Sequence, residues 1–196
     1  MCGSERKHEG GVFLDRDGVL NSLMRMSDGR RRPPWSETEL ELLPGAVEAS
    51  ELLSAAGFPL IVVTNQPDVG NGFFSVADAH SINARLLAEI PTLRKVYSCH
   101  HFQSDECDCR KPKPGMLIKA AREWKLDLSQ SWLVGDRWVD VLAGERAGCR
   151  TVLVEHPYSW SATSAGSPPD DLMPTAVAED VLRAAQFIVK FGFSRK

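Results

Sequence analysis

Between Cys99 and Cys109 the chain reads CHHFQSDECDC, and the residues that follow are Arg-Lys-Pro-Lys. Cys99-x-His101 and Cys107-x-Cys109 form two close ligand pairs. A Cys3His set of this kind closes around a structural zinc and leaves no open position for chemistry at the metal. His100 is an alternative ligand, although an extended chain turns it away from Cys99. The competing reading is a group of free surface thiols, but thiols this dense would be open to oxidation. An iron–sulfur cluster suits one histidine and three cysteines less well. Immediately after the knot, Arg110 and Lys111 offer positive charge to an anion.

A second set of groups is made of hard oxygen ligands. In DRDGVLN (15–21), Asp15 and Asp17 stand two apart, so an extended backbone presents both carboxylates on one side. Gly18 permits a sharp turn after them. Adjacent carboxylates repel unless one is protonated or a cation lies between them, and Mg²⁺ prefers such ligands. The plainer alternative is a turn in which aspartate bonds its own backbone. TNQ (64–66) supplies a hydroxyl and two amides, Thr64, Asn65 and Gln66, suited to phosphoryl or sugar oxygens. GDRWVD (135–140) adds Asp136, Arg137 and, one helical turn on, Asp140. Asp136 could equally be a helix N-cap and nothing more.

The elements that position these groups follow from the apolar pattern. GVFL (11–14), PLIVVT (59–64), Lys95–Ser98, SWLVG (131–135) and TVLVE (151–155) read as short buried strands. Helices are expected over 44–57, from a Ser75 cap to about Ile90, over 115–125, over 137–147 and over 176–189. Residues 156–174 form a Ser/Pro-rich loop to which the sequence assigns no role. Strand–helix alternation predicts an α/β fold: a Rossmann-like parallel sheet with helices on both faces. Ligands of such sheets bind beyond the carboxyl ends of the strands. Asp15/Asp17, Thr64, Lys111 and Asp136 all follow consecutive strands and so share that edge.

Composition narrows the partners. The 196 residues are 43% apolar and 25% charged, with a net charge of −3. That balance gives no electrostatic case for nucleic acid or an acidic membrane surface. No apolar run approaches the roughly 20 residues needed to span a bilayer, and MCGSERKHEGG lacks an apolar signal core. Five cysteines, three of them in one segment, suit a reduced cytoplasmic protein with a metal site. Cys2 falls in an expected disordered tail (1–10), and Cys149 is expected in the core. Residues 11–192 are expected to form one domain with a zinc loop at 99–113, working as a monomer.

The acid pair, hydroxyl, lysine and further acid on one edge resemble the haloacid dehalogenase superfamily over residues 12 to about 155. With the cysteine set and CRKPKPGM, the chain resembles the small, zinc-containing, essentially capless phosphatases of that superfamily. The resemblance implies that Asp15 is the nucleophile and Asp17 the general acid/base. It implies phosphate binding by Thr64 and Lys111, and Mg²⁺ held by Asp15, Asp17 and Asp136 with Asp140 as a helper. Asn21, Asn65, Gln66, Arg110 and Arg137 are expected at the substrate, with Arg110 held rigid by structural Zn²⁺. The expected substrate is a small phosphorylated metabolite: first a heptose 1,7-bisphosphate cut at C7, second histidinol phosphate. A zinc-containing binding module without catalysis is the alternative of another class, and a nucleic-acid 3′-phosphatase would need a basic excess. In the heptose-directed members the TNQ loop continues to Ala-Arg-Gly. Here PDVGNG (67–72) puts Asn71 where that arginine is expected, leaving Arg25 or Arg30–Arg32 to compensate.

Overall fold

The computed structural model describes residues 10–192. The expected tail, Cys2 included, therefore lies outside the described residues, apart from Gly10. The first strand, β1 (Val12–Leu14), sits mid-sheet and is buried on both faces. Two-residue strands β2 (Met24–Arg25) and β3 (Arg31–Arg32) make a small antiparallel hairpin. Then come α1 (Ala46–Ala55), β4 (Leu60–Asn65), a single turn α2 (Pro67–Gly70), and α3 (Val76–Glu89). The chain continues through β5 (Leu93–Cys99), α4 (Gly115–Trp124), β6 (Trp132–Gly135) and α5 (Trp138–Ala147). It ends in β7 (Arg150–Val154), β8 (Ala176–Ala178) and α6 (Val181–Phe191).

The six-stranded sheet runs β5-β4-β1-β6-β7-β8, with every pair parallel. Side-chain alternation along β1 explains why helices cover both faces. Val12 and Leu14 pair in register with Leu60 and Val62, and all four pack with Ala49, Leu53, Ile82 and Ile188 of α1, α3 and α6. Phe13 pairs with Ile61 and Leu133, and these face Leu117 and Ala120 of α4 and Ala143 of α5. Each fully buried side chain of this size is worth about 1.5–3 kcal/mol. A one-residue slip would exchange the two layers, so the register is firmly set.

The strand order reverses at β1: the chain winds outward to β4 and β5, then returns to β6 on the other side. A crevice at the carboxyl ends of β4, β1 and β6 results. No separate cap stands over it among the described residues; the hairpin, α2, the loop after β5 and the loop after β7 surround it. One expectation is corrected. Residues 176–189 are not one helix, because Ala176–Ala178 pair with β7 as an edge strand. The helix begins only at Val181, where the Asp180 carboxylate accepts from Arg183 N at 2.7 Å. No helix among the described residues is long and apolar enough to cross a membrane.

Candidate active site

β1 delivers Asp15 to the crevice: its backbone NH donates to the Val134 carbonyl at 2.8 Å, continuing the ladder with β6 past Leu14. The chain then turns at Gly18, where φ is +82°. A side chain there would also collide with the Asp136 carboxylate, so glycine is required twice over. Asp136 follows β6, and Asp140 projects from the first turn of α5. Oxygens of Asp15, Asp136 and Asp140 all lie within 4.8 Å of one another.

Lys111 enters this group from the loop after β5. Its Nζ lies 2.9 Å from Asp15, 2.6 Å from Asp140 and 2.9 Å from the Val63 carbonyl oxygen. Burial alone would lower its pKa, but the Asp140 and Asp15 charges outweigh that and hold it above the usual value. Burial pushes the Asp15 carboxyl up to about 6, with Asp140 and Asp17 adding to the rise and Lys111 opposing it. Burial, then the charges of Asp15 and Asp140, push Asp136 well above the ordinary carboxylate range. Three carboxylates thus face one ammonium. A divalent cation restores the balance, and hard oxygen donors fit Mg²⁺.

Of the expected carboxylates, Asp15, Asp136 and the helper Asp140 converge, and the Asp17 side chain does not join them. Its oxygens accept from Arg16 at 3.1–3.3 Å, from Asn21 Nδ2 at 3.0 Å and from Gln66 Nε2 at 2.5 Å. Asp140 joins the group, but its oxygens are engaged by Lys111 and by the Arg137 NH at 3.0 Å. Asp15 and Asp136 are left as the carboxylates best placed for a cation.

The amides also depart from expectation. Asn21 and Gln66 are fully buried, do not line the cavity, and hold Asp17 instead of meeting a ligand. Gln66 Nε2 also donates to Thr64 Oγ1 at 2.9 Å. Because Thr64 accepts there, its own proton remains for a phosphoryl oxygen. Asn65 lines the cavity, yet its amide is spent on the Lys111 backbone, with Nδ2 to O and N to Oδ1 both at 3.0 Å.

The cavity over this floor holds about 250 Å³. Arg110 and Arg137 reach it as expected. Of the arginines able to replace the one missing at Asn71, Arg31 and Arg32 line it and Arg25 and Arg30 do not. Arg32 is tied to Glu39 by two 2.7 Å bonds and lies over the Trp35 ring at 4.0 Å. Sequence reasoning missed Arg16, Asn83 and the loop after β7. Arg16 is fully buried between Asp17 and Asn83 Oδ1, the latter at 2.9 Å. The readable signal was Asn83 itself, a polar residue on the buried side of α3 beside Ile82 and Leu86. Thr163, Ser164 and Ala165 of the loop after β7 form one cavity wall.

The soft ligands converge as well. Cys109 Sγ lies 3.1 Å from Cys99 Sγ, 3.5 Å from Cys107 Sγ and 3.2 Å from His101 Nδ1. Cys99 Sγ is 3.6 Å from both Cys107 Sγ and His101 Nδ1. Tetrahedral zinc at Zn–S of about 2.3 Å needs ligand atoms roughly 3.5–3.8 Å apart, close to this spacing. His100 is not in the set; its Nε2 lies 2.9 Å from Ser98 Oγ. Burial pushes the Cys99 and Cys109 thiols up, so a metal must displace their protons. Arg110, just past the knot, donates to Ser164 Oγ at 3.1 Å and to the His101 carbonyl at 3.3 Å. Cys149 is buried in the core.

A parallel sheet whose central strand ends in an aspartate, with lysine and further acids gathered on one edge, defines a class, and the comparisons agree with it. Residues 30–148 match the haloacid dehalogenase-like hydrolases, and the chain belongs to that family. Asp15 and Asp17 precede the matched stretch. The chain is 32% identical over 183 residues to the D-glycero-beta-D-manno-heptose-1,7-bisphosphate 7-phosphatase of Bordetella bronchiseptica, covering 91% of this chain and 97% of that protein. It is 37% identical over 155 residues to the enzyme of the same name from Pasteurella multocida, covering 74% and 80%. A crystal structure of the D,D-heptose 1,7-bisphosphate phosphatase from B. bronchiseptica, complexed with magnesium and phosphate, superposes with a TM-score of 0.76 at 30% identity, covering 92% of this chain and 98% of that one.

Proposed function

We propose that this protein is a Mg²⁺-dependent phosphoric monoester hydrolase that removes the 7-phosphate of a D-glycero-D-manno-heptose 1,7-bisphosphate. The observation that carries the reading is Asp15, paired with Lys111 and beside Asp136 on the floor of a cavity whose walls carry Arg110 and Arg137. The relatives named above act, by name, on the heptose bisphosphate; they favour that substrate over histidinol phosphate. The complete catalytic set and the family also argue against a binding module without catalysis.

The chemistry follows from placement. A free Asp15 oxygen attacks the phosphorus, the bond from phosphorus to the sugar oxygen breaks, and an aspartyl phosphate forms. Asp17 gives its proton to the departing sugar oxygen. To do so it must release part of its grip on Arg16, Asn21 and Gln66. Asp17 then takes a proton from water, which attacks the same phosphorus; phosphate leaves and Asp15 is restored. Lys111 and the Thr64 hydroxyl offset charge on the phosphoryl oxygens. Bound beside Asp15 and Asp136, Mg²⁺ supplies further charge neutralisation and counters the burial that works against an ionised nucleophile. Arg110 and Arg137 meet the distal phosphate, for which a guanidinium is the apt partner.

Zn²⁺ is the structural metal of Cys99, His101, Cys107 and Cys109, and residues 11–192 act as one phosphatase domain with its zinc loop at 99–113. The test is phosphate release with Mg²⁺ present, comparing the heptose bisphosphate, histidinol phosphate and a 3′-phosphorylated oligonucleotide. The heptose bisphosphate should give the highest kcat/KM. A higher value for either competitor overturns the reading.

A further inference from the structure

The loop after β7 holds residues that no step above uses. His156 Nε2 lies 3.1 Å from the Gly18 carbonyl oxygen. His156 N donates to Ser159 Oγ at 2.9 Å, and that hydroxyl donates to the Asp136 carbonyl at 2.5 Å. The loop therefore joins the turn after β1 to the end of β6. Between these anchors sits Tyr158, stacked on His156 with centroids 5.1 Å apart and planes 13° apart. Its hydroxyl faces the Asp136 carboxylate: a Cβ on Gly18 would collide with Asp136 Oδ2 and lie 2.9 Å from Tyr158 Oη. Two guanidinium groups lie over the same ring, Arg137 at 4.8 Å and Arg31 at 5.6 Å from the centroid. Both arginines line the cavity, whereas Tyr158 does not.

We propose that Tyr158 is a positioning residue with two separable effects: its hydroxyl aims Asp136 at the divalent cation, and its ring seats Arg137 and Arg31 where the distal phosphate lies. The inference rests on the magnesium phosphatase reading and adds to it a residue that touches neither substrate nor metal. A hydroxyl facing one carboxylate oxygen favours one orientation of the carboxylate, the usual means by which outer groups orient a metal ligand. An aromatic face restrains a guanidinium while leaving its N–H groups free for an anion. The two effects reside on different atoms of one side chain, so different substitutions separate them.

Tyr158→Phe keeps the ring and removes the hydroxyl; Tyr158→Leu removes both. The first readout is Mn²⁺ binding to the substrate-free protein, followed by the EPR signal of free Mn²⁺. Both variants should bind it about 10-fold more weakly, the low end of what loss of an outer-shell partner costs. The second readout is KM at saturating Mg²⁺. Tyr158→Phe should leave KM for the heptose bisphosphate within about twofold. Tyr158→Leu should raise it by about 5–30-fold, the loss of two exposed ring–cation contacts, with a smaller change for a matched monophosphate. Arg31→Ala should reproduce part of that rise, and carries this arm if Tyr158→Leu does not fold. Wild-type Mn²⁺ affinity in Tyr158→Phe overturns the hydroxyl effect. An unchanged bisphosphate KM in Tyr158→Leu, or in Arg31→Ala if that variant does not fold, overturns the ring effect. Failure of the wild type itself to bind Mn²⁺ would instead overturn the magnesium reading beneath both.

Discussion

Asn65 and Lys111 hold each other through a reciprocal pair of hydrogen bonds, Asn65 Nδ2 to Lys111 O and Lys111 N to Asn65 Oδ1, both 3.0 Å. The end of β4 is thereby clasped to the loop that follows β5. Lys111 is thus positioned by the sheet, whose Val63 carbonyl also accepts from its Nζ.

Asn65→Ala removes both bonds and frees the lysine backbone. Misplacement of a catalytic group by about 1 Å can cost on the order of 10²-fold, so kcat should fall by that order while zinc content stays unchanged. Steady-state kinetics with metal analysis of the same preparation checks both. Unaltered kcat would show that the zinc loop alone places Lys111.

The amide of Asn65 shows where sequence reading stops. Sequence shows which groups a strand end offers, not which of them the fold consumes. Asp15, Thr64, Lys111 and Asp136 were legible because strand ends of a parallel sheet share an edge. The cysteine pairs were legible because their spacing is local. Asn21 and Gln66 read as ligands but serve Asp17. That depends on side-chain packing across separate strands, as does the turning of the Asp17 carboxylate away from the Asp15, Asp136 and Asp140 group. The strand at Ala176–Ala178 was hidden because three small residues form a strand only by pairing with β7. The loop after β7 looked featureless, yet Tyr158 and Ser159 reach Asp136 through contacts distant in sequence.

The two acids of the first turn have separate tasks. Asp17→Asn should slow an alkyl phosphate by roughly 10²–10⁴-fold and p-nitrophenyl phosphate far less, since the latter leaves with little need of a proton. Equal losses on the two substrates would point to a role in positioning, consistent with its bonds to Arg16, Asn21 and Gln66.

The cysteine knot should matter most for the distal group. Lys111 keeps Asn65, Val63, Asp15 and Asp140 without zinc, whereas Arg110 bonds the Ser164 hydroxyl and the carbonyl of His101, itself part of the knot. Cys107→Ser with Cys109→Ser should therefore leave a folded core and raise KM for the bisphosphate more than for a matched monophosphate. Circular dichroism and the two KM values decide it; equal rises, or none, would detach the zinc loop from substrate recognition.

Asp15 has a folded-state pKa of about 6, above its ordinary 3.8. Between those values the folded protein binds more protons than the unfolded chain, so stability from this group falls as pH rises. The loss is at most about 3 kcal/mol, at 1.36 kcal/mol per pKa unit. Asp136, also raised, acts in the same direction. A cation that binds the ionised pair reverses the effect. Mg²⁺ should therefore raise Tm more at pH 7.5 than at pH 4.5 in thermal melts. Equal increments would mean that magnesium does not bind at these carboxylates.

The most direct test of the whole account is ³¹P NMR of heptose 1,7-bisphosphate during turnover with Mg²⁺. The 7-phosphate resonance should be replaced by inorganic phosphate while the 1-phosphate resonance persists, and Asp15→Asn should leave both ester signals intact. Loss of the 1-phosphate first, or turnover that survives Asp15→Asn, would contradict it.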